Sequence, residues 1–446
     1  MTTRQVTSGS DETLDQRVKR LAANLDFASP ELLDESLPFL VYNEIRETAP
    51  VLRLGTMGGY LGSFASNSWF VTRYADVVRV FRDDYHFTSS QISAGGVPGP
   101  VPKDECPFDQ IDPLVVAKNS QKIPLTLDPP EFFAYRSLLN PLLSPGQAKS
   151  LEGDTRQIAN KLLDGSTTGG RIDIHKTLAK PLPAIMTCRI LGLPEENWDS
   201  YLISHGDTSG YDTEGGEGTP EQILARVMPS IEAQMALLEM ANRRRSDPRD
   251  DMITKVAHLA IDGRRLGFYE VGAILSELLA GGLHTTTMAI ESAAAFLGRN
   301  PEQQRMLAAD PARIPAFAEE VLRMWPPLPT FTRSAKLDAE VGGQLIKAGD
   351  SLILGLASAN RDPREFPEPD AFTADRYPNR HLTFTVGIHR CIGSSLARMQ
   401  LRVAIETLLA RVPDFTLDED NVRIPPMNDG AFGPDRALVA SFPLSA

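Results

Sequence analysis

Apolar residues recur every three to four positions along much of the chain, which is the spacing of a helix with a buried face. The longest such stretch covers residues 266–297, and at ~1.5 Å per residue it would be long enough to cross a whole domain. A second predicted helix, residues 394–412, carries Leu396, Met399 and Val403 on one apolar stripe. The remaining predicted helices cover residues 131–165, 178–192, 219–246 and 314–324.

Strand-like segments are short and form a minor part of the pattern. One lies at residues 68–72, several lie with their turns in residues 331–357, and the tail from Phe415 onward combines strand and turn. Two polar, Gly-rich segments, 88–126 and 206–218, separate the helices. The sequence therefore predicts a mainly α fold with a small β-rich part.

The domain organisation is predicted to be simple. Residues 1–30 are polar and charged and are expected to be loosely ordered, and residues 31–446 are expected to form a single domain. Neither an internal repeat nor a low-complexity linker divides the chain.

Composition narrows the classes of function. The chain of 446 residues has a net charge of -13 and a pI near 5.1, which disfavours nucleic acid and anionic membrane surfaces as partners. Its cysteines, Cys106, Cys188 and Cys391, are odd in number and widely spaced, as in a reducing compartment. With no apolar run of about 18 residues, no membrane span is predicted, and a cytoplasmic location is expected.

Cys391 stands where a polar loop ends and a long helix begins. Gly387 and Gly393 flank it, so the backbone can pass close to a flat ligand. The amides and the dipole at the start of the helix favour the thiolate form. A single cysteine is more often a buried core residue, so a metal-binding role depends on other segments.

Two further features have alternative interpretations. Glu320 and Arg323 share one helix face, either as a solvated surface ion pair of little energy or as a buried pair. Gly281 and Gly282 interrupt the longest helix, either for close helix packing or for a local bulge that makes room for a ligand.

Four segments together resemble the cytochromes P-450. Residues 384–393 resemble the haem-binding loop of that family, Phe-Gly-x-Gly-x-His-x-Cys-x-Gly, and residues 320–323 match its Glu-x-x-Arg helix. Residues 281–286 resemble the oxygen-activating segment of the central helix, and residues 360–376 resemble the loop that precedes the haem loop. The order and the separations also fit. The likeness extends to soluble bacterial members, including the camphor-hydroxylating type.

This resemblance implies a haem b buried between the long central helix and the helix that follows the Cys loop. Cys391 would be the proximal thiolate ligand of the iron, and Glu320 and Arg323 would be structural. The two propionates of a buried haem need cationic partners. The family pattern assigns these contacts to Arg136, Arg333, His381 and His389. The glycines that would adjoin the haem are Gly281, Gly282, Gly387 and Gly393.

On the distal side, Thr285 matches the threonine whose hydroxyl binds dioxygen and helps to pass protons in the family. His284 stands where the family usually has Asp or Glu. An imidazole can relay protons near its ordinary pKa of about 6.5, and a purely structural role is the alternative. Phe132 replaces a polar propionate partner. Thr385 replaces a glycine of the haem loop, and threonine adopts a positive φ less readily than glycine.

The substrate pocket is the least defined part of the site. Glu277 is expected to be either a surface carboxylate or a pocket carboxylate that favours a basic or hydroxylated substrate. The segments 88–126 and 206–218 would form lids over an entry channel. The other pocket candidates, by resemblance, are Ala280, Leu328, Pro329, Phe331 and Phe432.

The function implied is that of a monooxygenase, which inserts one oxygen atom of dioxygen into a small organic substrate by hydroxylation or epoxidation. Electrons would come from a separate ferredoxin or flavodoxin, because no fused reductase module is visible in the sequence. The alternatives are a peroxide-driven peroxygenase, which Thr285 and His284 disfavour, and a haem sensor without turnover. Neither nucleic acid nor a membrane is expected as a partner.

Overall fold

The fold is taken from a computed structural model. It describes residues 12–27, 29–33, 36–54, 68–90, 103, 107–112, 123–166, 169–206, 220–423 and 437–443. Within these ranges no helix combines the length and the apolarity that a bilayer crossing requires.

Helices dominate the described residues, as the sequence predicts. The predicted helices at 219–246, 266–297, 314–324 and 394–412 are closely confirmed. In chain order the helices are α1 Leu14–Ala23, α2 Leu37–Thr48, α3 Tyr74–Arg82, α4 Glu131–Leu139, α5 Pro145–Ser150, α6 Glu152–Leu163, α7 Pro181–Leu191, α8 Trp198–Gly206, α9 Pro220–Ser246, α10 Met252–Ala257, α11 Phe268–Arg299, α12 Pro301–Ala309, α13 Ile314–Met324, α14 Leu356–Ala359 and α15 Ser394–Arg411.

The helical segment predicted over 131–165 is confirmed, but it is divided into several helices. The chain forms α4, a 3-10 turn, α5 and α6. Pro141 and Pro145 remove backbone donors from an interior helical turn. Ser144 also accepts a hydrogen bond from the Gln147 amide and so caps a new helix at this point.

The segment 1–30, which is expected to be loosely ordered, contains α1, and this helix begins with a capping box between Thr13 and Gln16. The first eleven residues lie outside the described part of the chain. The helix predicted at 178–192 begins in a π-helical turn, His175–Ala179, and becomes α-helical only in α7.

The β-rich part consists of one main sheet and smaller pieces. The main sheet has the order β1 (Val51–Leu54), β2 (Ser68–Val71), β10 (Ser351–Gly355), β7 (Thr330–Ala335) and β3 (Phe87–Thr88). Strand β10 pairs parallel with β2 and antiparallel with β7. This confirms the strands predicted at 68–72 and within 331–357. The strands are β1 Val51–Leu54, β2 Ser68–Val71, β3 Phe87–Thr88, β4 Arg171–Asp173, β5 Ala260–Ile261, β6 Arg264–Arg265, β7 Thr330–Ala335, β8 Ala339–Val341, β9 Gln344–Ile346, β10 Ser351–Gly355, β11 Thr416–Arg423 and β12 Ala437–Ser441.

The Cys loop lies between the central helix α11 and the following helix α15. Phe384 of this loop belongs to one apolar cluster with Ala289 of α11 and Leu401 of α15. Ile392, beside Cys391, packs against a second cluster that contains Leu283 of α11. Both contacts bury apolar surface, and together they hold the loop against the middle of α11.

Candidate active site

Cys391 lies at the end of the loop, and its backbone amide donates to the carbonyl of Phe384 at 2.9 Å. The residue is exposed, yet protein groups surround it closely enough for desolvation to raise the pKa of its thiol. A side chain that faces an internal cavity has both properties, because it is accessible from the cavity and is nevertheless surrounded by protein. The Gly393 amide and the charge of Arg136 act in the opposite direction and lower the pKa. A metal ion bound by this sulfur would complete the shift to thiolate.

Two residues of the loop have left-handed backbone conformations, Gly387 with φ 80° and Thr385 with φ 54°. Gly387 is also closely packed, since a Cβ there would lie 2.4 Å from the carbonyl oxygen of Phe81. The sequence-based concern about Thr385 is therefore justified, because a threonine holds a conformation that favours glycine. Its hydroxyl donates to the carbonyl of His389 over 3.4 Å, a long hydrogen bond.

This conformation leads to a stability prediction. Thr385→Gly is expected to be more stable than Thr385→Ala by about 1 kcal/mol, because only a residue with a Cβ is strained at positive φ. Both variants lack the hydroxyl group, so their comparison isolates the backbone term. Chemical denaturation of the two proteins measures the difference, and equal free energies of unfolding would show that the loop relaxes.

Two basic side chains near the Cys loop, His389 and Arg333, have unused hydrogen-bonding capacity, and Arg136 lies close to them. Among the described residues, neither ring nitrogen of His389 has a hydrogen-bond partner, and Nη2 of Arg333 has none. Both side chains are buried. Burial, with the charges of Arg333 and Arg136, lowers the pKa of His389 to about 3. Buried donors without partners are costly, so this group of residues fits an anionic ligand such as the propionates of haem.

Phe132, which stands where the family often has a polar residue, packs directly on this group. Its ring centroid lies 4.3 Å from that of His389, and the guanidinium carbon of Arg136 lies 6.0 Å from the Phe132 ring. Arg136 also donates to the carbonyl of Arg390 and to the side chain of Asn140. Phe132 thus supplies packing for His389 in place of a polar contact.

His381 has different neighbours. Its Nε2 lies 3.1 Å from a carboxylate oxygen of Glu319, and its Nδ1 accepts from the amide of Thr383. Because both ring nitrogens have protein partners, the contacts of His381 do not support its predicted role at a propionate. Sequence reasoning missed Glu319 and its second partner, Arg398. The only signals in the sequence are that Glu319 precedes Glu320 and that Arg398 lies about two helical turns after Cys391.

For Glu320 and Arg323, the buried alternative is the correct one. Both side chains are 0% exposed, and their nearest atoms are 2.8 Å apart. Burial alone would raise the pKa of Glu320, but hydrogen bonds from Arg323, the Thr373 amide and Arg376 hold this pKa below its ordinary value. Arg323 also donates to three backbone carbonyls in the loop that precedes the Cys loop, those of Asn360, Pro369 and Ala371.

The middle of α11 has a partly exposed stripe of residues at helical spacing. The stripe is centred on Gly281, which is exposed, and a Cβ at this position would meet nothing within 4 Å. The hydroxyl of Thr285, one turn later, donates to the carbonyl of Gly281 at 3.1 Å. Around these two the stripe consists of Glu277, Ala280, His284 and Met288.

The two glycines of α11 have different roles. A Cβ at Gly282 would lie 2.4 Å from the hydroxyl oxygen of Thr187 in α7, so this glycine permits close packing of the two helices. Gly281 faces open space. The bulge interpretation is wrong, since α11 is α-helical throughout Phe268–Arg299.

The remaining pocket candidates are only partly located. Leu328 and Pro329 are half-buried between α13 and β7. The ring centroid of Phe331 lies 6.2 Å from that of Phe81 and 5.3 Å from the guanidinium carbon of Arg333, so it adjoins the cationic group. Phe432, most of 88–126 and nearly all of 206–218 lie outside the described residues.

A cavity-facing cysteine, nearby basic side chains with unpartnered nitrogens and a partly exposed helix stripe centred on a glycine fit a haem-thiolate site. Comparisons with known proteins agree with this class. The model of the cytochrome P450 family matches residues 220–435. The polyketide biosynthesis cytochrome P450 PksS of Bacillus subtilis (strain 168) is 31% identical over 389 residues, which cover 85% of this chain and 89% of the relative.

Two further comparisons extend this result. The mycinamicin IV hydroxylase/epoxidase of Micromonospora griseorubida is 32% identical over 84% of this chain and 88% of its own length. The solved structure of a mutant of P450 EryK in complex with erythromycin B superposes with a TM-score of 0.77 at 29% identity, over 93% of this chain and 99% of that chain. The chain belongs to the cytochrome P450 family.

Membership of this family gives the protein its chemistry. It is a monooxygenase, an oxidoreductase that uses haem b. The prediction of fold, enzyme class and cofactor is thereby confirmed. Bacterial members take electrons from redox partners and act on small organic substrates.

Proposed function

We propose that Cys391 holds the haem iron and that the chain oxidises a substrate bound against the stripe of α11. The observation that carries this proposal is the cavity-facing position of Cys391 in a loop packed against the middle of α11. Arg333, His389 and Arg136 would bind the propionates, since two of the three have unused donors in a buried setting. The haem, when bound, activates dioxygen for insertion of one oxygen atom.

Thr285 and His284 would serve the distal side. The hydroxyl of Thr285 is held by the Gly281 carbonyl at the centre of the stripe, where it can hold and pass a proton. His284 adjoins it on the same stripe, and an imidazole titrates in the range that proton relay requires. Gly281 leaves the space that a bound molecule needs beside these groups.

The substrate is proposed to be a bulky, largely apolar product of polyketide type. The similar proteins described above are named for polyketide biosynthesis and for mycinamicin IV, and the solved structure holds erythromycin B. Ala280 and Gly281 limit the volume that side chains occupy at the centre of the stripe. Glu277, one turn before Gly281, would bind a hydroxyl or amino group of such a substrate.

The electron donor is proposed to be a separate ferredoxin. The chain is acidic overall, with a net charge of -13. Arg390 is nevertheless exposed directly beside Cys391, and Arg136, which donates to its carbonyl, is partly exposed. Phe133 on α4 adds an exposed aromatic ring, 52% accessible, next to this charge. A local cationic surface with an apolar centre suits an acidic partner.

The carbon-monoxide spectrum of the reduced protein tests the ligand. The unaltered protein is expected to give a strongly red-shifted Soret band, because a thiolate donates electron density to the iron. Cys391→Ser should abolish this band. Cys188→Ala is the matched control and should retain the band. Cys188 is the other free cysteine in the described ranges, and burial raises the pKa of its thiol to about 12.

The same samples test the reaction. Oxidised product is expected with a ferredoxin, its reductase and NADPH, and a polyketide macrocycle should shift the spin state of the iron where an acyclic terpene alcohol does not. Turnover with hydrogen peroxide alone would establish the peroxygenase alternative. A red-shifted band in Cys391→Ser would refute the assignment of the ligand.

A further inference from the structure

A half-buried carboxylate, that of Glu319, organises three side chains on the proximal side of the Cys loop. We call Glu319, His381, Phe384 and Arg398 the Glu319 cluster. Arg398 of α15 donates two hydrogen bonds to the two oxygens of Glu319, from Nε at 2.7 Å and from Nη2 at 2.8 Å. His381 lies 3.1 Å from one of the same oxygens. A paired, two-point contact of this kind fixes the plane of the guanidinium group.

The fixed guanidinium group lies over the ring of Phe384. The guanidinium carbon of Arg398 is 4.3 Å from the ring centroid of Phe384, and the ring of His381 is 5.9 Å from the same centroid. The carbonyl of Phe384 accepts the hydrogen bond from the amide of Cys391. The cluster therefore contacts the backbone that carries the sulfur through one aromatic ring.

The cluster also places a fixed charge near the sulfur. The guanidinium group of Arg398 lies 4.3 Å from the ring of Phe384, whose carbonyl accepts a hydrogen bond from the amide of Cys391, so one positive charge lies close to the backbone that carries the sulfur. Burial would raise the pKa of Glu319, but His381 and Arg398 hold this pKa at about 2, so the carboxylate is charged at neutral pH. The paired charges of Arg398 and Glu319 thus lie beside Phe384 of the Cys loop, with 32% and 28% of their side chains exposed.

We propose that Arg398 and Glu319 are positioning residues that set how strongly the Cys391 sulfur donates to its metal. Arg398 withdraws electron density through its charge and holds Phe384 through its plane. Glu319 fixes Arg398 and offsets part of its charge. This inference rests on Cys391 being the ligand, which the carbon-monoxide spectrum of the unaltered protein tests independently.

Reduction potentials of the haem-loaded variants test the proposal. Reduction adds an electron, so a nearby positive charge favours the reduced form and a negative charge opposes it. Arg398→Gln is expected to shift the potential to more negative values, and Glu319→Gln to more positive values. Arg398→Lys keeps the charge but cannot form the planar, two-point contact. It should keep the potential and broaden or move the Soret band of the carbon-monoxide form.

Arg402→Gln is the control. Arg402 lies one turn further along α15 in ion pairs with Glu152 and Glu406 and is partly exposed like Arg398. This variant should leave the potential unchanged. A purely structural role for the cluster predicts lower stability in both Gln variants without opposite shifts of potential, and that result would overturn the proposal. If Arg398→Gln fails to retain haem, an unchanged potential in Glu319→Gln is enough to reject it.

Discussion

Glu320→Gln is expected to lower the free energy of unfolding by about 3–5 kcal/mol, because it leaves buried cations without their countercharge. The carboxylate accepts from Arg323 at 2.8 Å and from Arg376 at 3.0 Å, and the Glu320 and Arg323 side chains have no exposure. A loss of this size is a large part of the roughly 5–15 kcal/mol that stabilises most proteins. Chemical denaturation measures the change, and the fraction of haem-loaded protein is expected to fall with it.

An exposed pair of the same geometry provides the comparison. Arg364 and Glu47 also approach to 2.8 Å, but their side chains are 46% and 52% exposed. Glu47→Gln should therefore cost less than about 1 kcal/mol. Equal losses in Glu47→Gln and Glu320→Gln would show that burial does not determine the energy of these pairs.

Removing both partners is not expected to restore stability. Arg323 also holds the carbonyls of Asn360 and Pro369 at 2.8 and 2.7 Å, and these acceptors would lose their donor. The pair thus joins α13 to the loop that leads into the Cys loop, which explains why the Glu-x-x-Arg spacing and the Cys loop occur together in one chain.

The sequence predicted those parts of the site that depend on spacing within one segment. Glu320 and Arg323 share a face because three residues nearly complete a helical turn. Gly387 could be identified from its position four residues before Cys391, and the structure adds the reason for a glycine there, a left-handed backbone close to Phe81. The central helix was clear from its length, since its apolar period continues without a proline from end to end.

Contacts between distant segments could not be predicted in the same way. His381 pairs with Glu319, 62 positions away, and no local pattern distinguishes this pairing from a propionate contact. Gly281 and Gly282 are also indistinguishable in the sequence, because Gly281 faces open space and Gly282 faces Thr187 only in the folded protein. The break between α4 and α5 did have a local signal in Pro141, Ser144 and Pro145, but the apolar period on either side obscured it.

Arg333→Met is expected to change haem binding and the stability of the haem-free protein in opposite directions. Arg333 is buried, has an Nη2 without a partner among the described residues, and desolvation lowers its pKa to about 10 despite Asp84 and Asp128. The haem-free fold therefore carries a poorly compensated charge, and methionine should raise its free energy of unfolding by about 1 kcal/mol or more. Haem affinity should fall roughly tenfold to hundredfold with the loss of a charge-assisted hydrogen bond.

Arg361→Met tests whether the changes expected for Arg333→Met would follow from the replacement of any buried arginine. Desolvation also lowers the pKa of Arg361 to about 10, but Arg361 pairs with Asp370 at 3.0 Å and donates to the carbonyl of Met324. Its replacement should destabilise the haem-free protein and leave haem affinity unchanged. Higher stability of the haem-free protein together with lower haem affinity is expected only for an arginine whose charge is compensated by the bound haem. A haem-free Arg333→Met protein less stable than the unaltered chain would show that Asp84 and Asp128 already compensate the charge of Arg333.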